Sequence, residues 1–147
     1  MDERFEAFTV LINKIARNIK RLKSEQMEAL DLKGPHVSCM YYLYRDGELT
    51  AAELCQLCQE DKASVSRSLD YLEKSGYVTS SGKYKSPLCL TSKGQRAGEE
   101  IARRADSIVQ AAGRDLQEQE RLIMYRCLEN ISENLEQLYR KQKENEK

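Results

Sequence analysis

Residues 50–94 constrain the fold more than any other part of the chain, because two helix-like blocks are followed there by two strand-like runs. The blocks are TAAELCQLC (50–58) and KASVSRSLDYLEKS (62–75), and the second ends at Gly76. The runs are YVT (77–79) and PLCLT (87–91), on either side of SSGKYKS (80–86). The blocks predict a helix-turn-helix, and the runs predict a β-hairpin wing with Ser81 and Gly82 in its turn.

The ends of both helices carry residues that can satisfy free backbone groups. Thr50 is a good N-cap, and Glu53, three positions later, completes a capping box. Asp61 can cap the second helix, and Gly76 suits the left-handed position after its end. The predicted inner faces are Leu54, Cys55 and Cys58 on the first helix and Val65, Leu69 and Leu72 on the second.

Long helices are predicted on both sides of this block. Apolar residues three or four apart predict one amphipathic helix over residues 3–30, and a second helix with Pro35 in its first turn ends at Asp46 and Gly47. Two further helices, over 95–112 and 115–142, are separated by Gly113. The predicted fold is therefore mainly α, with a small β-hairpin wing.

The outermost helices carry apolar stripes that a small middle domain cannot cover alone. The stripe residues are Phe5, Phe8, Ile12, Ile15, Ile19 and Leu22 at one end, and Leu116, Ile123, Cys127, Ile131, Leu135 and Leu138 at the other. A symmetric homodimer would bury them. The predicted division is an N-terminal dimerisation helix (1–32), a winged helix-turn-helix DNA-binding domain (33–96) and C-terminal dimerisation helices (97–147).

Composition sets limits on partners and compartment. The formal net charge is zero, so DNA binding must rest on local charge, and residues 79–96 carry Lys83, Lys85, Lys93 and Arg96 without an acidic residue. The start of the chain lacks a secretory pattern, and no stretch approaches the ~20 apolar residues of a membrane span. We therefore expect a cytoplasmic protein without a membrane partner, whose five cysteines are reduced.

Four motifs stand out along the chain: LTAAEL (49–54), DKASVSR (61–67), LDYLEKSGYV (69–78) and LTSKG (90–94). Together they resemble the MarR family of bacterial winged helix-turn-helix regulators. Helix order and length also match over nearly the whole chain. The resemblance implies a homodimeric transcriptional repressor that a small ligand releases from DNA. One departure is the wing tip, where family members usually carry an Asp-Arg pair, often bridged towards the position of Asp70, and this chain has KYKS (83–86).

The predicted DNA contacts come from the start of the second helix and from the wing tip. A recognition helix shows its N-terminal residues to base edges in the major groove. The predicted residues are Lys62, Ala63, Ser64, Ser66 and Arg67 on the helix and Lys83, Tyr84 and Lys85 on the wing. Arg67 can pair with guanine O6 and N7, whereas lysines meet phosphates and release counterions. The expected partner is double-stranded DNA with a pseudo-palindromic site.

The resemblance also places an effector pocket between the dimer helices and the DNA-binding domain. By position, the candidate residues on the first two helices are Ile12, Ile15, His36, Cys39, Met40 and Tyr41. Met and Tyr at such spacing are also typical of an ordinary core. No cofactor is expected.

Cysteines offer two alternative forms of regulation. His36 and Cys39 precede Cys55 and Cys58 with fifteen residues between the pairs, a spacing found in zinc sites, but both pairs fall within predicted helices, where small buried hydrophobic residues are the simpler interpretation. Some members of the family sense oxidants through a cysteine in the first helix. This chain has no cysteine before Cys39, so the resemblance does not assign that role to any of its residues. Cys39 and Cys127 are the remaining sensor candidates.

Catalysis finds little support, since there is no Gly-rich phosphate loop and the single histidine, His36, has no obvious triad. We expect a protein that is not an enzyme. A winged helix that binds another protein is the alternative function class, and zero net charge suits it.

Overall fold

The computed structural model describes residues 2–147 and is mainly helical. Met1, the first residue of the predicted segment 1–32, lies outside the described residues. The helices are α1 (Asp2–Phe5), α2 (Leu11–Met27), α3 (Gly34–Asp46), α4 (Ala51–Cys58), α5 (Lys62–Lys74), α6 (Ser92–Ala112) and α7 (Glu118–Asn145), and the strands are β1 (Glu48–Leu49), β2 (Val78–Ser80) and β3 (Leu88–Leu90). The predicted fold class is confirmed.

The predicted first helix is present but is not regular along its length. A π-helical turn, Glu6–Val10, joins α1 to α2, and a 3₁₀ turn, Glu28–Leu30, follows α2. Asp31 then takes a left-handed conformation with φ of 55° and ends the helical path. Hydrophobic periodicity alone does not reveal a π-helical turn. Such a turn contains one extra residue, which rotates the apolar stripe around the helix by less than the width of the stripe.

The predicted caps hold the helix-turn-helix. Thr50 Oγ1 accepts from the Glu53 N–H at 3.2 Å, and Glu53 Oε2 accepts from the Thr50 N–H at 2.8 Å, so both arms of the capping box form. Asp61 Oδ1 accepts from the Ser64 N–H at 2.8 Å. Gly76 follows α5 with φ of 80°, the left-handed conformation that glycine adopts without steric cost.

The wing is a hairpin of β2 and β3, and β3 also pairs with β1 in the sheet order β1-β3-β2. Both pairings are antiparallel, with Val78 opposite Leu90 and Leu49 opposite Leu88. Strand β1 was not predicted from the sequence, because a two-residue strand has no alternation to detect.

The core lies in the winged helix-turn-helix and reaches the end of α2 and the first half of α6. Its buried apolar residues are Met27, Leu32, Val37, Cys39, Met40, Leu43, Leu49, Leu54, Val65, Leu69, Leu72, Val78, Leu88, Leu90, Ala97 and Ile101. Cys55 and Cys58 are partly buried against it. The predicted inner faces of both helices are thus confirmed.

The LTSKG motif joins the end of the wing to the C-terminal end of α5. Thr91 Oγ1 donates to the Gly76 carbonyl at 2.6 Å and accepts from the Gly94 N–H at 3.1 Å. A Cβ on Gly94 would overlap the Tyr77 carbonyl oxygen. Glycine at this position therefore permits the close approach of α6 to the segment between α5 and β2.

The chain divides into two compact units, with the boundary between Ile108 and Val109. In the first unit, Phe5, Ile15 and Ile19 on the first helical path are 65%, 51% and 48% exposed. In the second unit, Leu122 and Leu138 of α7 are 62% and 55% exposed. Among the described residues, no helix is long and apolar enough to cross a membrane.

Candidate nucleic-acid interface

The first turns of α5 present the predicted DNA-binding side chains to solvent. Lys62, Ala63, Ser66 and Arg67 are exposed and Ser64 is partly exposed. Val65 points into the core and is 2% exposed. The helix thus turns one face inward and offers the other, polar and basic, at its capped N-terminal end.

The inner face of α5 is held in place by apolar and polar contacts. Ser68, Leu69 and Leu72 are buried. The Tyr71 hydroxyl donates to the Asp31 carbonyl at 3.1 Å, and the Tyr71 ring stacks on the His36 ring with centroids 4.3 Å apart. These contacts fix α5 against α3 and the turn before it, so the exposed face of α5 has one orientation in this unit.

The wing tip is fully accessible and basic. Tyr84 is 91% exposed and Lys83 and Lys85 are exposed as well. Gly82 and Lys85 take positive φ angles of 77° and 58°, which makes the tip a tight turn. At the end of β2 nearer the tip, Ser80 Oγ donates to Glu73 Oε1 at 3.3 Å, which links β2 to α5.

Asp70 pairs within its own helix. Lys74 Nζ lies 2.8 Å from Asp70 Oδ2, one turn further along α5. The sequence departure at the wing tip is therefore accompanied by a different partner for this carboxylate.

The basic cluster predicted over residues 79–96 divides into two parts. Lys93 Nζ donates to the Ser75 carbonyl at 2.7 Å and lies 4.3 Å from the centre of the Tyr77 ring. Lys93 therefore binds the C-terminal end of α5, a favourable place for a cation near a helix C-terminus. The wing lysines remain exposed.

A family model described as MarR family matches residues 30–83, a segment that contains the helix-turn-helix and β2 and ends at Lys83. Over these residues the chain is similar to the MarR family. Members of this family are DNA-binding transcriptional regulators rather than enzymes. No curated protein matches the chain.

Solved MarR-family structures share the fold over most of the chain. The MepR–DNA complex of Staphylococcus aureus is 22% identical, with a TM-score of 0.77, over 87% of this chain and 96% of that one. A MarR family protein from Bacillus stearothermophilus is 23% identical, with a TM-score of 0.74, over 92% and 98%. A C80S mutant of Escherichia coli MarR with operator DNA is 20% identical, with a TM-score of 0.71, over 86% and 96%.

The six residues predicted to form a MarR-type effector pocket have different environments. Cys39 and Met40 are 1% and 0% exposed in the core, so within one chain they contact other core side chains rather than a cleft. Tyr41 is partly buried against the core. Ile12 and Ile15 are 37% and 51% exposed on α2. A shared effector site for this set stays a prediction, and for Cys39 and Met40 it would require displacement of neighbouring core side chains.

His36 is engaged at the start of α3. Its Nδ1 accepts from the Lys33 N–H at 3.2 Å, while its ring stacks on Tyr71. Burial and the charge of Lys33 lower the His36 pKa, against a smaller opposing effect of Asp31. In the part of the chain that the structure describes, His36, Cys39, Cys55 and Cys58 do not form a group suited to hold a metal ion.

The four cysteines considered for regulation lie in three kinds of environment. Cys39 and Cys58 are neighbours, with 4.0 Å between their sulfur atoms, and Cys55 is partly buried beside the core. Cys127, the other predicted sensor, is exposed on α7. The Cys39–Cys58 pair was not predicted from the sequence, because only the packing of α3 on α4 brings these positions together.

Proposed function

We propose that this chain acts as a homodimeric, ligand-responsive repressor that binds a pseudo-palindromic operator through α5 and the wing. The observation that carries the proposal is the exposed start of α5, where Lys62 and Arg67 face solvent beside a capped helix end. A helix in this position fits the major groove of B-form DNA.

Each side chain of this surface has a distinct role in the proposal. Arg67 pairs with a guanine and contributes about 1–3 kcal/mol of discrimination against other bases. Lys62 neutralises a phosphate, and Lys83 and Lys85 add affinity that does not depend on sequence. Tyr84, whose ring carries Lys85 Nζ 5.4 Å from its centre, packs against the sugar-phosphate backbone.

Dimerisation is supported by the exposed apolar residues of the outer helices. Isolated exposed apolar residues are normal on a soluble protein, whereas a continuous stripe on a long helix marks an interaction surface. On α7 the exposed apolar residues are Leu122, Ile123, Tyr125, Leu128, Leu135, Leu138 and Tyr139. A second copy of the chain would bury such a stripe symmetrically and place two α5 helices about 34–36 Å apart.

Control by a ligand is supported by the family and by the role of a structural relative. Staphylococcus aureus MepR is a regulator of the multidrug efflux pump MepA. In this chain, a small molecule would release DNA only if it bound more tightly to a dimer whose α5 helices are wrongly spaced.

The DNA-binding role is tested with Arg67→Ala and fluorescence anisotropy on a fragment from upstream of the protein's own gene. We expect affinity for the operator to fall about tenfold or more and preference at one base pair to disappear. Lys141→Ala, which removes an equal charge from the exposed end of α7, is the matched control. Unchanged affinity and preference in Arg67→Ala would remove the assigned role of Arg67.

Salt dependence separates DNA binding from the alternative of a protein-interaction module. Affinity for the operator should fall steeply as salt rises, and Lys83→Gln should reduce the slope by about 0.9 for each phosphate that the lysine no longer neutralises. Lys85→Asn tests the second lysine, because asparagine tolerates its left-handed backbone. Affinity for DNA that is insensitive to salt would favour the protein-interaction alternative.

The dimer is tested by sedimentation equilibrium of the intact chain. Leu138→Lys places a charge on the exposed stripe of α7 and should convert the dimer to a monomer, whereas Lys141→Ala should leave the dimer intact. A wild-type chain that sediments as a monomer at micromolar concentration would refute the proposed assembly. A reporter fused to the operator, more active when this gene is deleted, tests repression.

A further inference from the structure

Two thiols meet where α3 packs on α4. Cys39 Sγ and Cys58 Sγ lie 4.0 Å apart and share a hydrogen bond. A disulfide needs about 2.05 Å between sulfur atoms, so the two must approach by about 2 Å, a movement within reach of side-chain rotation and a small helix shift. The pair is therefore close to bonding distance while both thiols are reduced.

The two sulfur atoms differ in exposure and in acidity. Cys39 is 1% exposed, whereas Cys58 is partly exposed at the last residue of α4. The hydrogen bond from the Cys39 thiol lowers the pKa of Cys58, and the charge of Lys23 adds to this, against the effects of burial and of Glu60. The same hydrogen bond and burial raise the pKa of Cys39.

Lys23 supplies a positive charge that acts on Cys58. Its Nζ donates to Ser38 Oγ at 3.0 Å, and Ser38 precedes Cys39 on α3. A cation held beside a partly exposed thiol is the environment that favours a reactive thiolate, and a buried thiol next to it is placed to resolve the oxidised product.

We propose that Cys39 and Cys58 form a redox-active dithiol that a hydroperoxide oxidises to a disulfide, which weakens binding of operator DNA. The effect on DNA rests on the proposed function, whereas the dithiol chemistry does not. Cys58 is the attacking sulfur, because an oxidant reaches it from solvent, and Cys39 is the resolving one.

The reaction balances without a metal or a cofactor. The Cys58 thiolate attacks one peroxide oxygen, so that an S–O bond forms, the O–O bond breaks, and the leaving oxygen takes a proton to become water or an alcohol. Cys39 sulfur then attacks Cys58 sulfur, the S–O bond breaks, and the Cys39 proton leaves with the hydroxide as water. The two thiols lose two electrons in total, and the hydroperoxide gains them.

Cys58 lies directly before the turn that leads into α5, so the proposed disulfide would affect the start of that helix. Cys58 directly precedes the turn at residues 59–61, in which Gln59 already takes a left-handed φ of 55°. Asp61 ends that turn and caps α5 through the Ser64 N–H. Drawing Cys58 towards α3 therefore displaces the turn that positions Arg67 and its neighbours.

The chemistry is tested on the full-length, fully reduced protein treated with a few equivalents of hydrogen peroxide. Peptide mapping without reductant should find Cys39 joined to Cys58 within one chain. Cys58→Ser should lose this linkage, and Cys58→Ala and Cys39→Ala should do the same if serine disturbs folding. Cys55→Ser and Cys127→Ser are the matched controls and should still form the disulfide. A wild-type protein in which Cys127 oxidises and the pair stays reduced would overturn the dithiol.

The consequence for DNA is measured on the same samples by anisotropy. Oxidation should weaken operator binding by about tenfold, and dithiothreitol should restore it. Cys58→Ser should bind like the reduced wild type before and after peroxide. Full affinity with the disulfide formed would overturn the coupling to α5. Reduced wild type that does not bind DNA would instead refute the proposed function, while the mapping would still decide the dithiol.

Discussion

The winged helix-turn-helix and the outer helices have the same apolar spacing but opposite burial. Leu43, Leu54 and Leu72 in the first region are 0% exposed, whereas Leu122 and Leu138 on α7 are 62% and 55% exposed. The winged domain therefore completes its core within one chain, whereas apolar residues of α7 stay exposed in the second unit. Helical spacing of apolar residues shows which face requires burial, but it does not show whether the same chain supplies the partner.

Replacement of a leucine by alanine in each region should give the largest difference between the regions in how stability depends on protein concentration. Leu72→Ala leaves a cavity in a completed core, and we expect the free energy of unfolding to fall by about 2–5 kcal/mol at any protein concentration. Leu138→Ala should act through dimerisation, because its side chain is exposed in one chain. Urea denaturation at two protein concentrations about a hundredfold apart measures both effects, by the mass-action dependence of dimer stability.

If Leu138→Ala lowers stability equally at both concentrations, then α7 is buried within the chain rather than between chains. A concentration-independent loss for Leu72→Ala confirms the completed core.

Two glycines of the winged domain differ in how closely other atoms approach them. Gly94 lies where α6 packs against the segment before β2, and Gly34 has open space around it. Gly94→Ala should lower stability by about 1–3 kcal/mol, because the added Cβ meets the Tyr77 carbonyl and the backbone must shift. Gly34→Ala, at the first residue of α3, is the control, since a Cβ there meets nothing within 4 Å. Thermal unfolding of both variants measures the effect, and equal melting temperatures would mean that α6 shifts without cost.

Sequence could predict the helix-turn-helix because its determinants are local. The caps at Thr50 and Asp61 and the left-handed Gly76 each act over three or four residues, and the predicted inner residues are spaced along single helices. The family motifs in turn predicted the exposed start of α5.

Other features depend on contacts between distant segments, which a single sequence does not encode in any pattern. Strand β1 exists only through pairing with β3, and Lys93 lies on the C-terminal end of α5, although sequence grouped it with the wing lysines. Cys39 and Met40 were predicted to line a pocket, but both lie in the core. Apolar residues at helical spacing can line either a core or a cleft, so the spacing alone does not distinguish the two.

Capping of α4 tests how much the local determinants contribute to the completed region. Thr50→Ala should lower the free energy of unfolding by about 1 kcal/mol, because the Glu53 N–H loses its acceptor. Thr50→Ser keeps the hydroxyl and should cost much less. Denaturant titration of the pair checks this, and equal losses would show that the methyl group, rather than the cap, is responsible.

The smallest effect is expected on the partly exposed polar surface of α6, which belongs to neither the completed core nor the apolar stripes. Hydrogen bonds from Arg103 and Arg104 lower the pKa of Glu100 from 4.5 to about 2. Because the folded-state pKa is depressed, this contribution to stability is present above pH 4.5 and is lost as pH falls towards 2. The stability difference between wild type and Glu100→Gln should therefore shrink between pH 4.5 and 2, and added salt should reduce it, since salt screens ion pairs that solvent reaches. Denaturation across this pH range measures the difference, with Glu136→Gln, which removes a single-arginine pair on α7, as the control. A difference that stays constant with pH would show that the two arginines do not hold the Glu100 carboxylate in its charged form.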